Sequence, residues 1–325
     1  MYRPKAFVKM FSVLFAACIF AGAASAQNYP ARPVRIVVPY PAGAGVDIVT
    51  RLFTPKLSEL LGQQFIVDNR AGAAGNIGAE LVSRATNDGY HLLMAPASIA
   101  ISHSLRKNLP YDLKKDFDAV ALIGSAPFVL VVHPSLPAKT TRDLIALAKA
   151  SPGKLSYASS GSGSPSHLVA EMLKMQAGIN VLHIPYKGTV PAITDVIAGN
   201  VSLTFANTLS GLPHVNAGRL RALAITSAKR STAAPGLPTV AESGLPGFAG
   251  TTWFSVLAPK GTPRDIIKRL NTVFGEISQM QDTRDHLAKQ GAEPLGGTPE
   301  QAANFIAAET VKWAKVVAAS GARAE

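Results

Sequence analysis

A run of β-branched residues near the start of the chain leads into a loop rich in Pro and Gly, and then into a helical pattern. Residues Ile36–Asp47 read Ile-Val-Val-Pro-Tyr-Pro-Ala-Gly-Ala-Gly-Val-Asp, and apolar residues recur with helical spacing after Asp47. The first N–H groups of a helix have no intrahelical partner, and the helix dipole is positive at that end. This segment therefore predicts a binding site for an anion or a polar oxygen.

A second loop of small polar residues follows the predicted strand Leu155–Ala158. It reads Ser159-Ser160-Gly161-Ser162-Gly163-Ser164, and Pro165 comes next. Ser164 is expected to cap the following helix, with Pro165 at the first helical position. The remaining N–H and hydroxyl groups could then hold a carboxylate. His167 falls in the first turn of that helix and is expected to be packed or linked to the cap rather than catalytic.

Two enzymatic interpretations use the same loops. Gly43 and Gly45 match the start of a dinucleotide-binding fingerprint, and Asp68 lies at the distance of a ribose-binding acid, but Ile48 stands where the third glycine is needed. No serine of the second loop satisfies the Gly-x-Ser-x-Gly pattern of a nucleophile elbow. A secreted serine hydrolase that uses Ser164 or a neighbouring serine with His167, and Asp195 as the third member, remains the alternative to a binding protein. No metal motif is present, so neither a metal nor a cofactor is predicted.

A third segment, Pro185-Tyr186-Lys187-Gly188, follows another predicted strand. Lys187 is either a solvated loop lysine or part of a pocket rim with Tyr186. Asp195, in the next predicted helix, either holds a loop or contacts the ligand.

The first 26 residues have the features of a secretory signal peptide. A basic head precedes an apolar stretch, and Ala24-Ser25-Ala26 predicts cleavage after Ala26 and a periplasmic location. A retained anchor and a lipid-modified Cys18 are the alternatives. Cleavage leaves no cysteine, which excludes disulfides, and lowers the formal net charge from +12 to +9. The Lys and Arg residues are scattered, which argues against a nucleic-acid partner.

The elements that must position these loops alternate between strand and helix. Such alternation predicts an α/β fold of mixed, mostly parallel sheets, in which ligands bind at the carboxyl ends of strands. A mature chain of about 300 residues suggests two domains. The predicted strands after the first are Phe65–Asn69, His91–Ala95, Ala119–Ile123, Phe128–His133, Leu155–Ala158, Val181–Ile184, Val201–Phe205, Leu220–Ile225 and Trp253–Ala258. The clearest predicted helices are Thr141–Ala150, Pro263–Met280, Thr283–Gln290 and Pro299–Ser320.

Several segments together resemble the Bug (Bordetella uptake gene) family, the solute receptors of tripartite tricarboxylate transporters. They include Pro39-Tyr40-Pro41-Ala42-Gly43, Asn69-Arg70-Ala71-Gly72-Ala73-Ala74-Gly75-Asn76-Ile77-Gly78, Asp88-Gly89-Tyr90, Tyr157-Ala158-Ser159-Ser160-Gly161 and His183-Ile184-Pro185-Tyr186-Lys187-Gly188. The resemblance implies a two-domain periplasmic-binding-protein fold, type II-like, with a ligand cleft between the domains. It places residues 28–128 with 253–325 in one domain and residues 129–252 in the other.

The resemblance also implies a function. A monomeric, non-enzymatic receptor would capture a small di- or tricarboxylate or an aromatic acid by hinge closure, and deliver it to the membrane subunits of a transporter. An extracytoplasmic carboxylate sensor is the alternative role. The candidate ligand-binding residues are Tyr40, Ala42, Gly43, Ala44, Gly45, Asp47, Ser98, Ser159, Ser160, Gly161, Ser162, Ser164, His167, Tyr186, Lys187 and Asn207.

Two departures from the family pattern bear on specificity. Ala44 stands where a second glycine is common, and Ala206 stands where amino-acid-binding relatives often carry Asp. An ammonium group buried without a partner is costly. We therefore expect the ligand to be an organic acid rather than a zwitterionic amino acid.

Overall fold

The structure, a computed structural model, describes residues 29–106 and 108–320. The predicted signal peptide, Cys18 and the cleavage site lie outside the described residues. The strands are β1 Val34–Val38, β2 Phe65–Asn69, β3 His91–Pro96, β4 Phe117–Val132, β5 Ser156–Ser159, β6 Leu182–Pro185, β7 Leu203–Asn207, β8 Arg221–Ile225, β9 Thr251–Pro259 and β10 Glu293–Pro294. The α-helices are α1 Gly45–Leu61, α2 Asn76–Ser83, α3 Ser98–Leu105, α4 Thr141–Ala150, α5 Pro165–Ala177, α6 Thr189–Ile197, α7 Thr208–Asn216, α8 Arg264–Gln279, α9 Gln281–Lys289 and α10 Pro299–Ser320.

The strands follow the order β2-β1-β3-β9-β4-β7-β5-β6, with β8 and β10 also paired to β4. Both ends of this order are parallel, since β1 pairs in parallel with β2 and β3, and β5 with β6 and β7. The middle is antiparallel, because β9 opposes β3 and β4, and β4 opposes β7 and β8. The sheets are thus mixed, as predicted, but parallel pairing does not dominate. No helix separates the two halves of β4, so the chain leaves the β-α alternation on which that expectation rested.

Strand β4 joins the two halves of the molecule. Its first part, to Pro127, pairs with β9, and its last part, from Phe128, pairs with β7 and β8. The sequence predicted two separate strands here, Ala119–Ile123 and Phe128–His133, with Gly124 and Pro127 between them. In the structure both residues continue the ladder with β9, whose register shifts twice along it. Residues 117–132 therefore form one 16-residue strand that links the two parts.

Buried apolar side chains form two pairs of clusters. One pair draws almost entirely on residues 29–126 and 253–306, with Phe53, Phe254 and Phe274 among its largest members. The other draws mostly on residues 128–248. Ile101 of α3 and Trp313 of α10 belong to this second pair, so helices of the first part also pack against the second. The division into two domains at the predicted boundaries remains a prediction.

Two helices, α3 and α7, were not predicted from the sequence. The first five residues of α3 are buried on all sides, so its sequence shows no amphipathic period. Helix α7 contains Gly211 and Pro213, which are normally helix breakers. A Cβ at Gly211 would lie 2.8 Å from Val129 and 2.9 Å from the Cβ of Ala206, so this glycine allows close packing on the sheet. By contrast, helices Thr141–Ala150 and Pro299–Ser320 are confirmed at both ends.

Across residues 29–106 and 108–320, we find no helix with both the length and the apolar character needed to span a bilayer.

Candidate ligand-binding cleft

A narrow cleft lies where the two parts of the molecule meet. Its cavity measures about 30 Å³, room for about two water molecules. Four helices begin at this cavity, because its lining includes the first residues of α1, α5 and α6 and the N-cap residue of α7. The lining residues are Tyr40, Ala44, Gly45, Val46, Pro96, Phe128, Ser160, Pro165, Thr189, Asn207, Thr252 and Phe254. A helix N-terminus carries N–H groups without intrahelical partners and the positive end of the helix dipole, so four positive dipole ends meet at this cavity.

Residues Tyr40–Asp47 form what we call the first wall of the cleft. Ala44 is the N-cap of α1 and has no side-chain oxygen with which to cap it, so the first-turn N–H groups remain for a ligand or water. Gly45 follows and packs directly against the second part of the molecule. A Cβ at Gly45 would lie only 2.4 Å from Oδ1 of Asn207, so the close approach of these two residues depends on glycine.

The loop of the first wall is held by the buried carboxylate of Asp47. This carboxylate accepts hydrogen bonds from the Gly43 N–H at 2.9 Å and from Nδ2 of Asn69 at 2.9 Å, and it pairs with Nε of Arg51. Burial alone would raise the pKa of Asp47, but the hydrogen bonds and the Arg51 charge together lower it. Asp47 therefore shapes the loop and has its partners within the protein, whereas it was predicted as a ligand contact.

Residues Ser159–His167 form the second wall, and Ser166 is its centre. Oγ of Ser166 accepts the Ser160 N–H at 3.0 Å and lies 3.1 and 3.0 Å from the hydroxyls of Ser160 and Ser164. Ser164 caps α5 by accepting the His167 N–H at 3.3 Å, with Pro165 at the first helical position. The second wall is thus held by neutral groups, and the cap residues are those predicted from the sequence.

His167 is buried and contributes its ring to the same loop. Its Nδ1 accepts the N–H of Gly163 at 3.0 Å, and burial lowers the pKa of His167 below its usual 6.5. Gly163 has φ +85°, a left-handed conformation that favours glycine. His167 Nδ1 therefore binds the backbone of the loop, whereas the alternative hydrolase would use this ring with a serine hydroxyl.

A left-handed turn at residues 72–75 supports the first wall. All four residues have positive φ, including Ala73 at +48° and Ala74 at +55°. The Tyr40 hydroxyl donates to the Ala74 carbonyl at 3.2 Å, and a Cβ at Gly161 would lie 3.5 Å from Ala74 N. This turn thus contacts both walls. Nothing in the sequence beyond its glycines indicated this role.

The Tyr40 hydroxyl also lies close to the hydroxyls of Ser98 and Ser160. Burial raises the pKa of Tyr40, against a smaller lowering by these two serines. Oγ of Ser98 is fully buried, and no hydrogen-bond partner of standard geometry surrounds it among the described residues. Ser98, which was predicted to contact the ligand, thus lies behind Tyr40, a lining residue of the cavity.

Tyr186 and Lys187, which we call the rim, have contacts of a different kind from those of the two walls. The Tyr186 hydroxyl donates to the Asp195 carboxylate, and this contact, after burial, raises the pKa of Tyr186 to about 12. Lys187 is exposed. Asp195 therefore holds a loop, which was one of its two expected roles.

The predicted site residues fall into two groups. Tyr40, Ala44, Gly45, Ser160 and Asn207 line the cavity. The others are not among the lining residues: Ala42, Gly43, Asp47, Ser98, Ser159, Gly161, Ser162, Ser164, His167, Tyr186 and Lys187. The sequence analysis missed the lining residues Val46, Pro96, Phe128, Pro165, Thr189, Thr252 and Phe254. Several of these come from β3, β4 and β9. Predicting that these strands lie side by side requires the strand order, which the sequence does not show.

Two further residues considered in the sequence analysis do not line the cavity. Asp68, which belonged to the rejected dinucleotide-binding interpretation, pairs with Arg35 and Arg70 at the sheet edge. Ala206 is fully buried in an apolar cluster with Val129 and Val131, because its side chain points into the second part of the molecule. Position 206 therefore does not line the cavity in this chain.

Two β-α parts joined by the long strand β4, with a cleft lined by helix N-termini, are the features of a periplasmic solute-binding protein. The chain belongs to the TctC family, because the family model described as "Tripartite tricarboxylate transporter family receptor" matches residues 49–322. This family is a class of periplasmic solute-binding receptors. The resemblance to the Bug family is thereby confirmed.

Individual relatives agree with this assignment. Protein BugT of Bordetella pertussis (strain Tohama I) is 40% identical over 313 residues, which cover 96% of each chain. The structure "R. palustris Rpa4515 with adipate" has a TM-score of 0.89 at 38% identity and covers 91% of this chain and 100% of that one. MatC from Rhodopseudomonas palustris, with bound malate, has a TM-score of 0.85 at 29% identity and covers 89% of this chain and 100% of MatC.

Proposed function

We propose that this receptor captures a small organic acid between its two walls and delivers it to the membrane subunits of a tripartite tricarboxylate transporter. Two relatives of the same fold, Rpa4515 with adipate and MatC with bound malate, are described with a dicarboxylate. The proposed ligand is accordingly a small organic carboxylate, either a di- or tricarboxylate or an aromatic acid.

The observation that carries this proposal is the convergence of four helix N-termini on a neutral cleft. None of the lining residues in the described chain is Asp, Glu, Lys or Arg. Fixed N–H groups and positive dipole ends stabilise an anion there. An ammonium group would meet no opposite charge and would be costly to bury. The cleft therefore favours a carboxylate over a zwitterionic amino acid, even though position 206 does not contribute to this preference.

The lining combines polar and apolar residues. Ser160, Thr189, Thr252 and Asn207 supply polar atoms, while Pro96, Phe128 and Phe254 supply apolar surface. A short acid with carbon between its charged ends suits such a lining. The small cavity and the contact of Gly45 with Asn207 support capture by closure of the cleft.

The remaining parts of the proposal concern the setting. The receptor is exported and released by cleavage after Ala26, acts as a monomer, and has neither cofactor nor catalytic activity. Ser164, the nucleophile of the alternative hydrolase, serves as a helix cap. A sensor of the same ligand would share every feature of the cleft, so only cellular uptake separates the two roles.

Calorimetry on the chain from residue 27 tests the ligand class. The panel contains adipate, malate, citrate, benzoate and aspartate. We expect at least one of the acids that lack an amino group to bind, and aspartate to bind far more weakly. Tight aspartate binding with none of the others bound would refute the proposal. Ester hydrolysis that disappears in Ser164→Ala would refute the receptor assignment.

A cellular experiment tests delivery. A host strain that lacks the gene should lose uptake of the acid that binds in calorimetry. Normal uptake with loss of a transcriptional response to that acid would identify a sensor instead.

A further inference from the structure

Three aromatic rings are stacked behind the second wall. The rings of His167 and His183 are parallel within 7°, with centroids 4.2 Å apart. The Tyr157 ring stacks on His183 at 4.8 Å. The rings come from α5, β6 and β5, so the stack joins a helix to two neighbouring strands. His183 was not among the predicted site residues, because its contact with His167 depends on how α5 packs against β5 and β6.

Each histidine is bound to a different end of the polar loop. His167 Nδ1 accepts the Gly163 N–H at 3.0 Å. His183 Nε2 lies 2.6 Å from Oγ of Ser159, which in turn accepts the Gly161 N–H at 3.2 Å. Between these two attachments stands Ser160, which lines the cavity. The conformation of the loop against the ligand therefore depends on the ring nitrogens.

The bond from Gly163 fixes the charge state that His167 must have. A backbone N–H can only donate, so Nδ1 must carry a lone pair, and the proton of the neutral ring is on Nε2. Protonation would place a hydrogen on Nδ1, opposite the N–H of Gly163. It would break that bond and set two donors against each other. Charging both stacked rings would add repulsion between like charges.

The surroundings of His167 are otherwise sparse in charge. Burial is the main cause that lowers its pKa, while Glu171 raises and Lys174 lowers that pKa by smaller amounts. Both residues belong to α5, and Glu171 is engaged by the Tyr157 hydroxyl and by Lys174. Strands β5 and β6 present Tyr157 and His183. Helix α10 contributes Trp313, Val316 and Val317 to the apolar cluster around α5, and β7 contributes Leu203 and Phe205.

We propose that His167 and His183 are positioning residues for the ligand, which hold the second wall in its binding conformation only while His167 is neutral. Ligand affinity should then fall in mild acid. The inference rests on the proposed carboxylate-binding function, since it requires Ser160 and its neighbours to face the ligand. It gives the receptor tight capture at neutral pH and release when the surrounding medium becomes acidic.

Binding constants of the acid selected in calorimetry, measured from pH 8 to pH 5, test the affinity change. In the wild type, Kd should stay flat near neutrality and then rise, approaching about tenfold for each pH unit below the pKa of His167. His167→Gln retains an acceptor, the amide oxygen, that does not titrate, and should lose this rise. His167→Phe retains a ring without an acceptor and should bind weakly at every pH. His286→Gln, at an exposed histidine of α9, is the matched control and should behave as the wild type.

Amide hydrogen exchange separates this inference from the proposed function. In the wild type without ligand, the Gly161 and Gly163 amides should exchange faster, relative to His167→Gln at the same pH, as the pH falls below 6.5. Because this readout needs no ligand, it tests the inference even if no acid of the panel binds at pH 7.5, a result that would refute the proposed function alone. Protonation of the ligand itself affects every variant equally. Equal pH profiles in wild type and His167→Gln, or tighter wild-type binding in acid, would overturn the inference.

Discussion

Each wall of the cleft is a loop held in place before a helix N-terminus, but the two loops are held by different kinds of groups. The first wall is held by a buried charge, Asp47, which binds Gly43, Arg51 and Asn69. The second is held by serine hydroxyls around Ser166 and by the neutral ring of His167. The first helical residue after each wall's cap, Gly45 or Pro165, lines the cavity, so the walls differ in how each loop is held.

The difference sets the pH range over which each wall keeps its shape. The pKa of Asp47 is lowered below its usual 3.8, so its contribution to stability is complete above that value and is lost only as the pH falls through the lower folded-state pKa. The pKa of His167 is lowered below 6.5, so its contribution is complete above 6.5 and is lost as the pH falls through its folded-state pKa. Mild acid should therefore disturb the second wall and leave the first intact.

The contact between the first wall and Asn207, the N-cap of α7, offers the largest expected effect. Gly45→Ala would place a Cβ 2.4 Å from Oδ1 of Asn207, which caps α7 by accepting the Ser210 N–H. Displacing Asn207 costs the cap, about 1 kcal/mol, and the crowding costs about 1–3 kcal/mol more. We expect ligand affinity to fall about 100-fold, as measured by calorimetry.

A matched control exists for this substitution. Gly275 also lies within a helix, α8, and a Cβ there would meet no atom within 4 Å. Gly275→Ala should leave affinity unchanged and raise stability slightly. If Gly45→Ala binds as tightly as Gly275→Ala, the close contact of the first wall with Asn207 is not needed for capture.

The charged clamp of the first wall comes next. Asp47→Ala leaves the Gly43 N–H, the Asn69 amide and the Arg51 guanidinium without their shared acceptor, at a cost of about 2 kcal/mol in the free energy of unfolding. Denaturant unfolding measures this loss. Asp68→Ala is the comparison. It also removes a carboxylate that is paired with arginine, here Arg35 and Arg70, but this carboxylate lies at the edge of the sheet. It should cost less than about 1 kcal/mol. Equal losses would contradict the special role of Asp47.

The hydroxyl network of the second wall is expected to matter less. Ser166→Ala removes the acceptor of the Ser160 N–H and the link between two further hydroxyls, which should cost about 1 kcal/mol of stability. Affinity should fall several-fold, because Ser160 lines the cavity. Ser162→Ala, in the same loop, is the control. A larger loss for Ser162→Ala than for Ser166→Ala would show that the loop is held in another way.

The sequence predicted the walls better than the cleft between them. Local signals were sufficient for the first wall and for the cap formed by Ser164 and Pro165, because both depend on neighbouring residues in the chain. They were insufficient for Phe128, Thr252 and His183, whose roles depend on which strands pair. Position 206 was misjudged for a related reason, since family comparison says nothing about the direction of a side chain on β7.

Substitutions at the rim should have the smallest effect on stability and ligand affinity, compared with substitutions in the two walls. Tyr186→Phe removes a hydroxyl that donates to Asp195 near the surface, for which about 0.5 kcal/mol of stability is expected. Because the ring remains and the hydroxyl does not line the cavity, Kd should change less than about twofold. Lys187→Met, at the exposed neighbour, should be equally mild at physiological ionic strength. A tenfold loss in either variant would mean that the rim closes over the ligand and acts as a third wall.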